Sequence, residues 1–194
     1  MNKRTIGGTE LSVNAIGYGA MHLSIDRPRR PAEGASIDLI RLAVDELGVD
    51  FIDTADAYCA DDSETGHNER SIAEALRGER RNRVVIATKG GSVRPEGRWE
   101  RNGYPDHLRK ACEASLRALE TDRIDLYQLH AVDSRVPIEE SVGALADMQR
   151  EGKIRYIGVS NVSLDQLQSA MRETTISSVQ NQFSLINRDA DDDA

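Results

Sequence analysis

The sequence lacks the marks of several protein classes. Its two cysteines, Cys59 and Cys112, form neither a disulfide framework nor a metal motif, so a reducing cytoplasm is the expected compartment. No apolar run approaches the roughly 18 residues of a membrane-spanning helix. Basic residues number 25 against 33 acidic ones and form no stripe. Neither a membrane nor nucleic acid is therefore an expected partner.

The rest of the composition is that of a globular domain. Of the 194 residues, 39% are hydrophobic and 30% are charged, which is enough apolar material for one core. We therefore expect residues 1–194 to form a single domain.

Short apolar segments alternate with helical patterns along the chain. Six predicted strands begin near residues 15, 51, 84, 124, 154 and 177, with five predicted helices between them. Strict alternation with continuously apolar strands indicates a parallel sheet covered by helices. Ahead of this series, Gly7, Gly8 and Thr9 predict the turn of a small hairpin over residues 3–13.

Capping residues predict where the helices begin and end. Side chains that can accept a hydrogen bond from a first helical turn predict starts at Ser36, Asn68 and, in a capping-box pattern with Gln166, Ser163. Prolines predict two more starts, at Pro105 and Pro137. Glycines predict three ends, at Gly48, Gly78 and Gly152.

Two architectures fit the alternation: an open doubly wound sheet and a (β/α)8 barrel. A dinucleotide-binding doubly wound sheet carries Gly-x-Gly-x-x-Gly after its first strand. Here Gly17-Tyr18-Gly19 continues as Ala20-Met21-His22, so the third glycine is missing and the barrel is favoured. A complete barrel has eight strands and about 250 residues. We expect either a barrel cut after six strands, with two more beyond residue 194, or a smaller fold; acidic residues 189–193 look like another helix start.

Polar residues stand at the carboxyl ends of the predicted strands, where active sites of barrels lie. The second to sixth strands end in Asp53, Lys89, His130, Ser160-Asn161 and Gln180. Tyr58 follows five residues after Asp53, in a predicted loop. Because these strand ends converge on one mouth, we expect the side chains to meet there.

Together these groups suit proton transfer to a carbonyl. A tyrosine with a pKa of about 10 is a poor acid, and an adjacent ammonium such as that of Lys89 lowers this pKa. Asp53 can hold the ammonium charged, and His130 can orient a carbonyl oxygen. A carbonyl that gains a proton also needs a nucleophile at carbon, for which a bound hydride donor is the natural supplement.

Five segments in order resemble the aldo-keto reductase family. They are Phe-Ile-Asp-Thr-Ala-Asp-Ala-Tyr (51–58), Val-Ile-Ala-Thr-Lys (85–89), Asp-Leu-Tyr-Gln-Leu-His (125–130), Gly-Val-Ser-Asn (158–161) and Val-Gln-Asn-Gln-Phe-Ser (179–184). The resemblance implies reduction of a small aldehyde or ketone by NADPH on a (β/α)8 barrel.

The resemblance also implies a role for each residue. Tyr58 is the general acid, Lys89 lowers its pKa, Asp53 pairs with Lys89, and His130 positions the carbonyl. The implied NADP(H) contacts are Asp53, Gly19, Ala20, Met21, Ser160, Asn161 and Gln180. No metal is implied, and the acidic loop at residues 61–67 matches no ligand motif. Two further strands of the family, with the residues that bind the cofactor's phosphates, are missing from this sequence.

Other interpretations remain open at this stage. Lys89 could attack a carbonyl itself, as in a Schiff-base lyase or aldolase. The chain could also be a non-catalytic fragment or binding module that does not hold the cofactor. Trp99 could line a substrate pocket or merely cover the barrel rim, and we favour the pocket. Neither the substrate nor the oligomeric state is indicated.

Overall fold

A computed structural model of the chain describes residues 2–25 and 30–188. The acidic stretch 189–193, for which the sequence predicts a helix start, lies outside the described residues. The strands are β1 (Lys3–Thr5), β2 (Ser12–Asn14), β3 (Tyr18–Gly19), β4 (Phe51–Asp53), β5 (Val85–Gly90), β6 (Ser92–Val93), β7 (Glu100–Arg101), β8 (Ile124–Leu129), β9 (Ile154–Ser160) and β10 (Ser178–Gln180). The helices are α1 (Glu33–Asp45), α2 (His67–Ala75), α3 (Pro105–Ala118), α4 (Ile138–Arg150) and α5 (Leu164–Glu173).

Six strands form one parallel sheet in the order β3-β4-β5-β8-β9-β10. Every strand lies beside the next one of the series, and every pairing is parallel. A doubly wound sheet would reverse its strand order at a switch point, whereas the wall of a barrel does not. The architecture is therefore six strands of a (β/α)8-type barrel wall, with β3 and β10 as its edges.

The helices pack on one face of this sheet and form the core with it. Apolar side chains of the helices, such as Ile40, Ile72 and Leu145, are buried against strand residues such as Tyr127 and Leu129. Neighbouring residues of β5 point to opposite faces, because Lys89 contacts Asp53 while Thr88 contacts Glu69 of α2. The face away from the helices is thus left for the site. Within residues 2–25 and 30–188, no helix has the length and apolar character needed to cross a membrane.

The predicted N-terminal hairpin is confirmed and lies at the amino ends of the parallel strands. β1 and β2 pair antiparallel, with Lys3 opposite Asn14. Both residues contact Asp50, the residue before β4: Lys3 forms an ion pair with it, and the Asn14 N–H donates to its carboxylate at 2.8 Å. The carboxyl ends of the strands, where the polar residues stand, are at the other end of the sheet.

Several predicted helix boundaries are confirmed. Ser163 and Gln166 form the reciprocal capping box at the start of α5. Pro105 is the first residue of α3, and Pro137 immediately precedes α4. Gly152 has the positive φ of 78° that favours glycine after a helix.

Three other boundaries are wrong. α1 begins at Glu33, so Ser36 lies inside it and is buried rather than capping it. α2 begins at His67, and the Asn68 amide donates to the Ala20 carbonyl and to Ser24 Oγ, both at 2.8 Å. α2 also ends at Ala75, three residues before the predicted Gly78. For Asn68 a tertiary contact overrides the local signal.

Candidate active site

Lys89 lies at the centre of the candidate site. It is the next-to-last residue of β5, and 1% of it is exposed. Its ammonium donates to Asp53 Oδ1 at 2.7 Å, to the Thr54 carbonyl at 2.9 Å and to Tyr58 Oη at 3.2 Å. These acceptors use all three protons of the ammonium. The ends of β4 and β5 thus join the carboxylate, the lysine and the tyrosine in one hydrogen-bonded group.

Strand register places the loop after β3 beside this group. Asp53 ends β4 and is paired with Gly19 on β3. The Ala20 N–H donates to the Asp53 carbonyl at 2.9 Å, and Met21 opens the short 3-10 segment that follows. Gly19, Ala20 and Met21 are therefore next to Asp53, as their predicted place beside a cofactor requires. Their contact with a cofactor stays a prediction.

Tyr58 lies in a loop that backbone hydrogen bonds hold in place. The Asp56 N–H donates to the Lys89 carbonyl at 3.2 Å, and the Gly66 N–H donates to the Asp56 carbonyl at 2.8 Å. The Tyr58 N–H donates to the Ala55 carbonyl at 3.2 Å. Tyr58 is 6% exposed. These backbone hydrogen bonds fix the loop in a conformation that directs the Tyr58 phenol toward the Lys89 ammonium.

Three aromatic rings, those of Tyr58, His130 and Trp99, pack against one another. The Tyr58 and His130 ring centroids are 5.6 Å apart, and Trp99 lies 6.4 Å from Tyr58 and 5.8 Å from His130, all edge to face. Arg94 stacks on Trp99 at 4.3 Å. Trp99 is half-exposed and belongs to the loop between β6 and β7. It lies beside the candidate acid, and its place in a substrate pocket stays a prediction.

Burial dominates the protonation of the central pair. Burial raises the pKa of Tyr58, and the charges of Asp53 and Asp56 raise it further. Burial also lowers the pKa of Lys89, which Asp53 opposes. The net pKa of Tyr58 is thus raised by burial and by two carboxyl groups. The expectation that the Lys89 ammonium acts in the opposite direction stays a prediction. Tyr58 remains a protonated phenol at neutral pH, the form that can donate.

His130 is neutral in this environment. Burial lowers its pKa to about 3, with the charges of Lys89 and Arg101 acting in the same direction. Its Nδ1 is buried without a hydrogen-bond partner among the described residues. A neutral imidazole interacts through hydrogen bonds rather than through a charge.

The predicted carboxamide contacts are brought together at the ends of β9 and β10. Ser160 Oγ donates to the Gln180 carbonyl at 2.8 Å. The Asn161 amide donates to Ser160 Oγ and to the His130 carbonyl, both at 3.0 Å. Asn161 has a φ of 54°, which asparagine tolerates better than most residues. This network ties the candidate cofactor residues to the backbone of His130, and their contact with a carboxamide stays a prediction.

The inner face of the sheet encloses a cavity beside this network. The cavity has a volume of about 450 Å³ and is lined by Asp53, Gly19 and Gln180, among other residues from both edges of the sheet. A wider cleft of about 820 Å³ lies at the opposite end of the strands, around Lys3 and Asp50. The smaller cavity reaches the strand ends at Gly19, Asp53 and Gln180. Tyr58, Lys89 and His130 are not among the residues that line it.

The acidic loop after Tyr58 has structural partners. Asp62 Oδ1 accepts from the Arg94 N–H at 2.7 Å, which ties this loop to the one that carries Trp99. Glu64 forms an ion pair with Arg30 at 2.5 Å. In the described part of the chain, no group of three or more His, Cys, Asp or Glu is placed to hold a metal ion.

Sequence reasoning missed a buried polar layer behind Lys89. Glu69 of α2 has no exposed surface, and its Oε1 accepts from Thr88 Oγ1 at 2.5 Å. A signal for it exists, since Glu69 shares the spacing of Ile72, Ala73 and Leu76 on one buried helix face. A charged residue on such a face is unusual and marks a position worth testing.

Comparisons with known proteins agree with this geometry. A model of the aldo/keto reductase family matches residues 15–193. The structure is similar to aldo-keto reductase AKR11C1 from Bacillus halodurans (holo form), with a TM-score of 0.83 and 34% identity; the match covers 99% of this chain and 61% of that one. It is also similar to the glycerol dehydrogenase AKR11B4 from Gluconobacter oxydans, with a TM-score of 0.85, 29% identity, and coverage of 99% and 58%.

A third match is the thermostable aldo-keto reductase Tm1743, solved with the inhibitor epalrestat. Its TM-score is 0.82 at 30% identity, and the match covers 100% of this chain and 66% of that one. The chain therefore spans about three fifths of the length of the solved structures it matches.

Proposed function

The chain belongs to the aldo/keto reductase family, and from this premise we propose that it carries the proton-donating part of an NADPH-dependent reduction of an aldehyde or ketone to an alcohol. The observation that carries the proposal is the Lys89 ammonium, which joins Asp53 at 2.7 Å and Tyr58 at 3.2 Å. Family members are oxidoreductases of small carbonyl compounds, and this hydrogen-bonded group is what proton delivery to such a carbonyl needs.

Each residue has a distinct task in this proposal. A bound nicotinamide cofactor would supply the hydride to the carbonyl carbon. Tyr58 gives its phenolic proton to the carbonyl oxygen as negative charge builds there. Lys89 then stabilises the tyrosinate left behind, and Asp53 keeps Lys89 charged and aimed. Because burial disfavours the Tyr58 phenolate, the phenol keeps its proton until the reaction.

His130 holds the substrate carbonyl over Tyr58. A neutral imidazole donates a hydrogen bond from Nε2 without adding a second cation beside Lys89. A pKa of about 3 keeps the ring neutral across the physiological range. Trp99 packs against both rings and would cover the substrate from solvent.

Ser160, Asn161 and Gln180 suit a nicotinamide carboxamide. Their amide and hydroxyl groups can both donate and accept, which is what a primary amide requires. Ser160 is already oriented by the Gln180 carbonyl and by Asn161. The choice of NADPH over NADH rests on the family resemblance alone.

Two other functions compete with this one. A Schiff-base enzyme needs the Lys89 amine free to attack, whereas here its three protons are all donated and the side chain is buried. A binding module without turnover is the stronger competitor, because the chain spans only about three fifths of the length of its solved relatives.

Tyr58→Phe tests the proposal directly. In assays of NADPH consumption with a panel of aldehydes and ketones, we expect the rate to fall by roughly a hundredfold to ten-thousandfold. Cofactor affinity should stay within about twofold, since the phenol oxygen is not among the proposed cofactor contacts. Tyr104→Phe, on a half-exposed tyrosine outside the site, is the matched control and should keep full activity.

Cofactor binding separates the competitors. Trp99 is the single tryptophan, so quenching of its fluorescence reports binding next to the site. Quenching without turnover would support the binding module, and no quenching at millimolar NADPH would support a fragment that has lost the cofactor. Retention of most activity by Tyr58→Phe would remove Tyr58 as the acid.

A further inference from the structure

The loop that carries Trp99 is supported by a very short hairpin. Its strands, β6 and β7, are two residues each and pair antiparallel, with Ser92 opposite Arg101. A two-stranded hairpin of this kind is marginally stable by itself in water. The Trp99 ring is also 43% exposed, so its own burial does little to fix it. Contacts outside the hairpin are therefore needed to keep the ring beside Tyr58.

The backbone of Arg94, the first residue after β6, provides such contacts. Its N–H donates to Asp62 Oδ1 at 2.7 Å, and its carbonyl accepts from the Asp62 N–H at 3.1 Å. The same carbonyl accepts from the Gly97 N–H at 3.0 Å, which closes the turn that leads to Trp99. A Cβ at Gly97 would lie 3.2 Å from the Ala60 carbonyl oxygen, so this turn passes close to the loop after β4. Arg94 thus bonds the two loops together.

The side chain of Arg94 lies between the same two loops. Its Nη2 donates to the Ala60 carbonyl at 3.1 Å, and its guanidinium carbon is 4.3 Å from the centroid of the Trp99 ring. Arg94 is 8% exposed, and its Nε is buried without a hydrogen-bond partner among the described residues. Arginine is seldom buried this deeply, and burying an unused donor costs stability. The position of the side chain is therefore better explained by what it does to Trp99.

Trp99 in turn contacts two residues of the candidate site. Its ring centroid lies 6.4 Å from that of Tyr58 and 5.8 Å from that of His130, both edge to face. Tyr58 belongs to the loop that Arg94 bonds. Arg94 therefore fixes Trp99 relative to the loop that carries the candidate acid.

We propose that Arg94 is a positioning residue, which holds the Trp99 indole against Tyr58 and His130 so that the indole forms a fixed wall for the group next to the substrate carbonyl. The inference deepens the proposed function and rests on it for the presence of a substrate at Tyr58. A planar guanidinium suits this task, because it stacks on an aromatic ring and donates to the Ala60 carbonyl at the same time. The compact ammonium of a lysine has no plane with which to stack.

Nuclear Overhauser effects between side-chain protons test the inference on the 194-residue chain. Trp99 is the single tryptophan, so its indole signals are identified without ambiguity. In the wild type, we expect effects from the indole to the rings of Tyr58 and His130 and to the side-chain methylenes of Arg94. Arg94→Met keeps a side chain of similar length without the guanidinium. In this variant the effects from the indole to Tyr58 and His130 should be lost.

Arg98→Met is the matched control. Arg98 precedes Trp99 in the same turn, but its side chain is 63% exposed and pairs with Glu96 at 2.8 Å. The control should keep every indole contact of the wild type. The backbone amide signals of β5 should be unchanged in both variants, which separates movement of the ring from unfolding. Indole contacts that survive in Arg94→Met, or that are lost equally in Arg98→Met, would overturn the inference.

Arg94→Lys decides the matter if Arg94→Met does not fold. Lysine keeps the charge and can donate to the Ala60 carbonyl, so the fold has less to lose, but it cannot stack on Trp99 as a plane. We expect the indole contacts to Tyr58 and His130 to be lost here as well, and their retention would overturn the inference. Absence of effects between Arg94 and the indole in the wild type would also overturn it.

Steady-state kinetics add a second readout where the chain turns over a carbonyl. With benzaldehyde and NADPH, Arg94→Met should raise KM about tenfold or more and change kcat by less than about threefold, because it alters binding of the group beside the carbonyl and leaves Tyr58 in place. A fall in kcat at unchanged KM would overturn the inference. The NMR readouts do not depend on turnover, so failure of the carbonyl reductase proposal and failure of this inference are separate results.

Discussion

Lys89 and Asp53 form an ion pair whose two sides differ in access to water. The Lys89 side chain is 2% exposed and that of Asp53 is 15% exposed. Withdrawing an ammonium from water costs several kcal/mol, which a single close carboxylate and two hydrogen bonds offset only in part. The pair is therefore better explained by the charge it places beside Tyr58 than by stability.

Loss of Asp53 and loss of Lys89 should lower the free energy of unfolding by different amounts. Asp53→Asn leaves a buried ammonium without its anion and should lower the free energy of unfolding by about 3 kcal/mol. Lys89→Met removes the buried charge, fills similar space and leaves Asp53 in contact with water, so its cost should stay below about 1.5 kcal/mol. Urea unfolding at neutral pH measures both values, and equal costs would contradict this account of the pair.

His130 predicts how stability responds to acid. Its pKa is about 3 in the folded chain and about 6.5 when unfolded, so the unfolded state binds more protons between these values. Its contribution is complete above about pH 6.5 and is lost as pH falls toward 3, at about 1.4 kcal/mol per pH unit. Between pH 6 and 4.5, His130→Asn should therefore lose about 2 kcal/mol less than the wild type in urea unfolding. Parallel pH curves would contradict the burial of a neutral ring.

At the scale of elements, the residues at strand ends are the most predictable part of the site. Asp53, Lys89 and His130 each follow or end an apolar segment, and parallel pairing brings such ends together whatever their sequence separation. The six alternating strand and helix segments therefore predict the fold, and the fold predicts that these residues meet. Backbone hydrogen bonds then fix the conformation of the loop that carries Tyr58.

The remaining features depend on contacts that no local pattern contains. Asn68 looks like an N-cap, yet its amide bonds the loop after β3 because that loop passes over α2. The sign of the Tyr58 pKa shift depends on how deeply the ring is buried and on Asp56, which no strand-end pattern highlights. Burial and cross-element neighbours are properties of the assembled fold.

Two glycines make the role of backbone conformation testable. Gly152 follows α4 with a φ of 78°, whereas Gly34 is the second residue of α1, and at both a Cβ meets nothing within 4 Å. Gly152→Ala should cost about 1 kcal/mol, because alanine is strained at positive φ. Gly34→Ala should gain about 0.5 kcal/mol from helix propensity. Thermal unfolding should therefore shift in opposite directions for the same chemical change, and shifts of one sign would refute the conformational explanation.

For the whole molecule, the sheet has two edges where a closed barrel has none. β3 and β10 each pair on one side only among the described residues. Beyond β10, Leu185 is 97% exposed and Ile186 is 98% exposed. Unpaired strand edges next to exposed apolar side chains are a known route to association. If the 194-residue chain associates with itself, we therefore expect the contact to form at the β10 edge of the sheet rather than elsewhere on its surface.

Replacing Leu185 and Ile186 by serine should weaken self-association of the 194-residue chain. Burying one such side chain is worth about 1.5–3 kcal/mol, so losing two from a contact raises its dissociation constant at least about a hundredfold. Sedimentation velocity over a range of concentrations measures the change. Leu39→Ser is the control, since Leu39 is a 43% exposed apolar residue on α1, away from this edge, and should change nothing. Association that persists unchanged in the double variant, or falls equally in the control, would place the contact elsewhere on the surface.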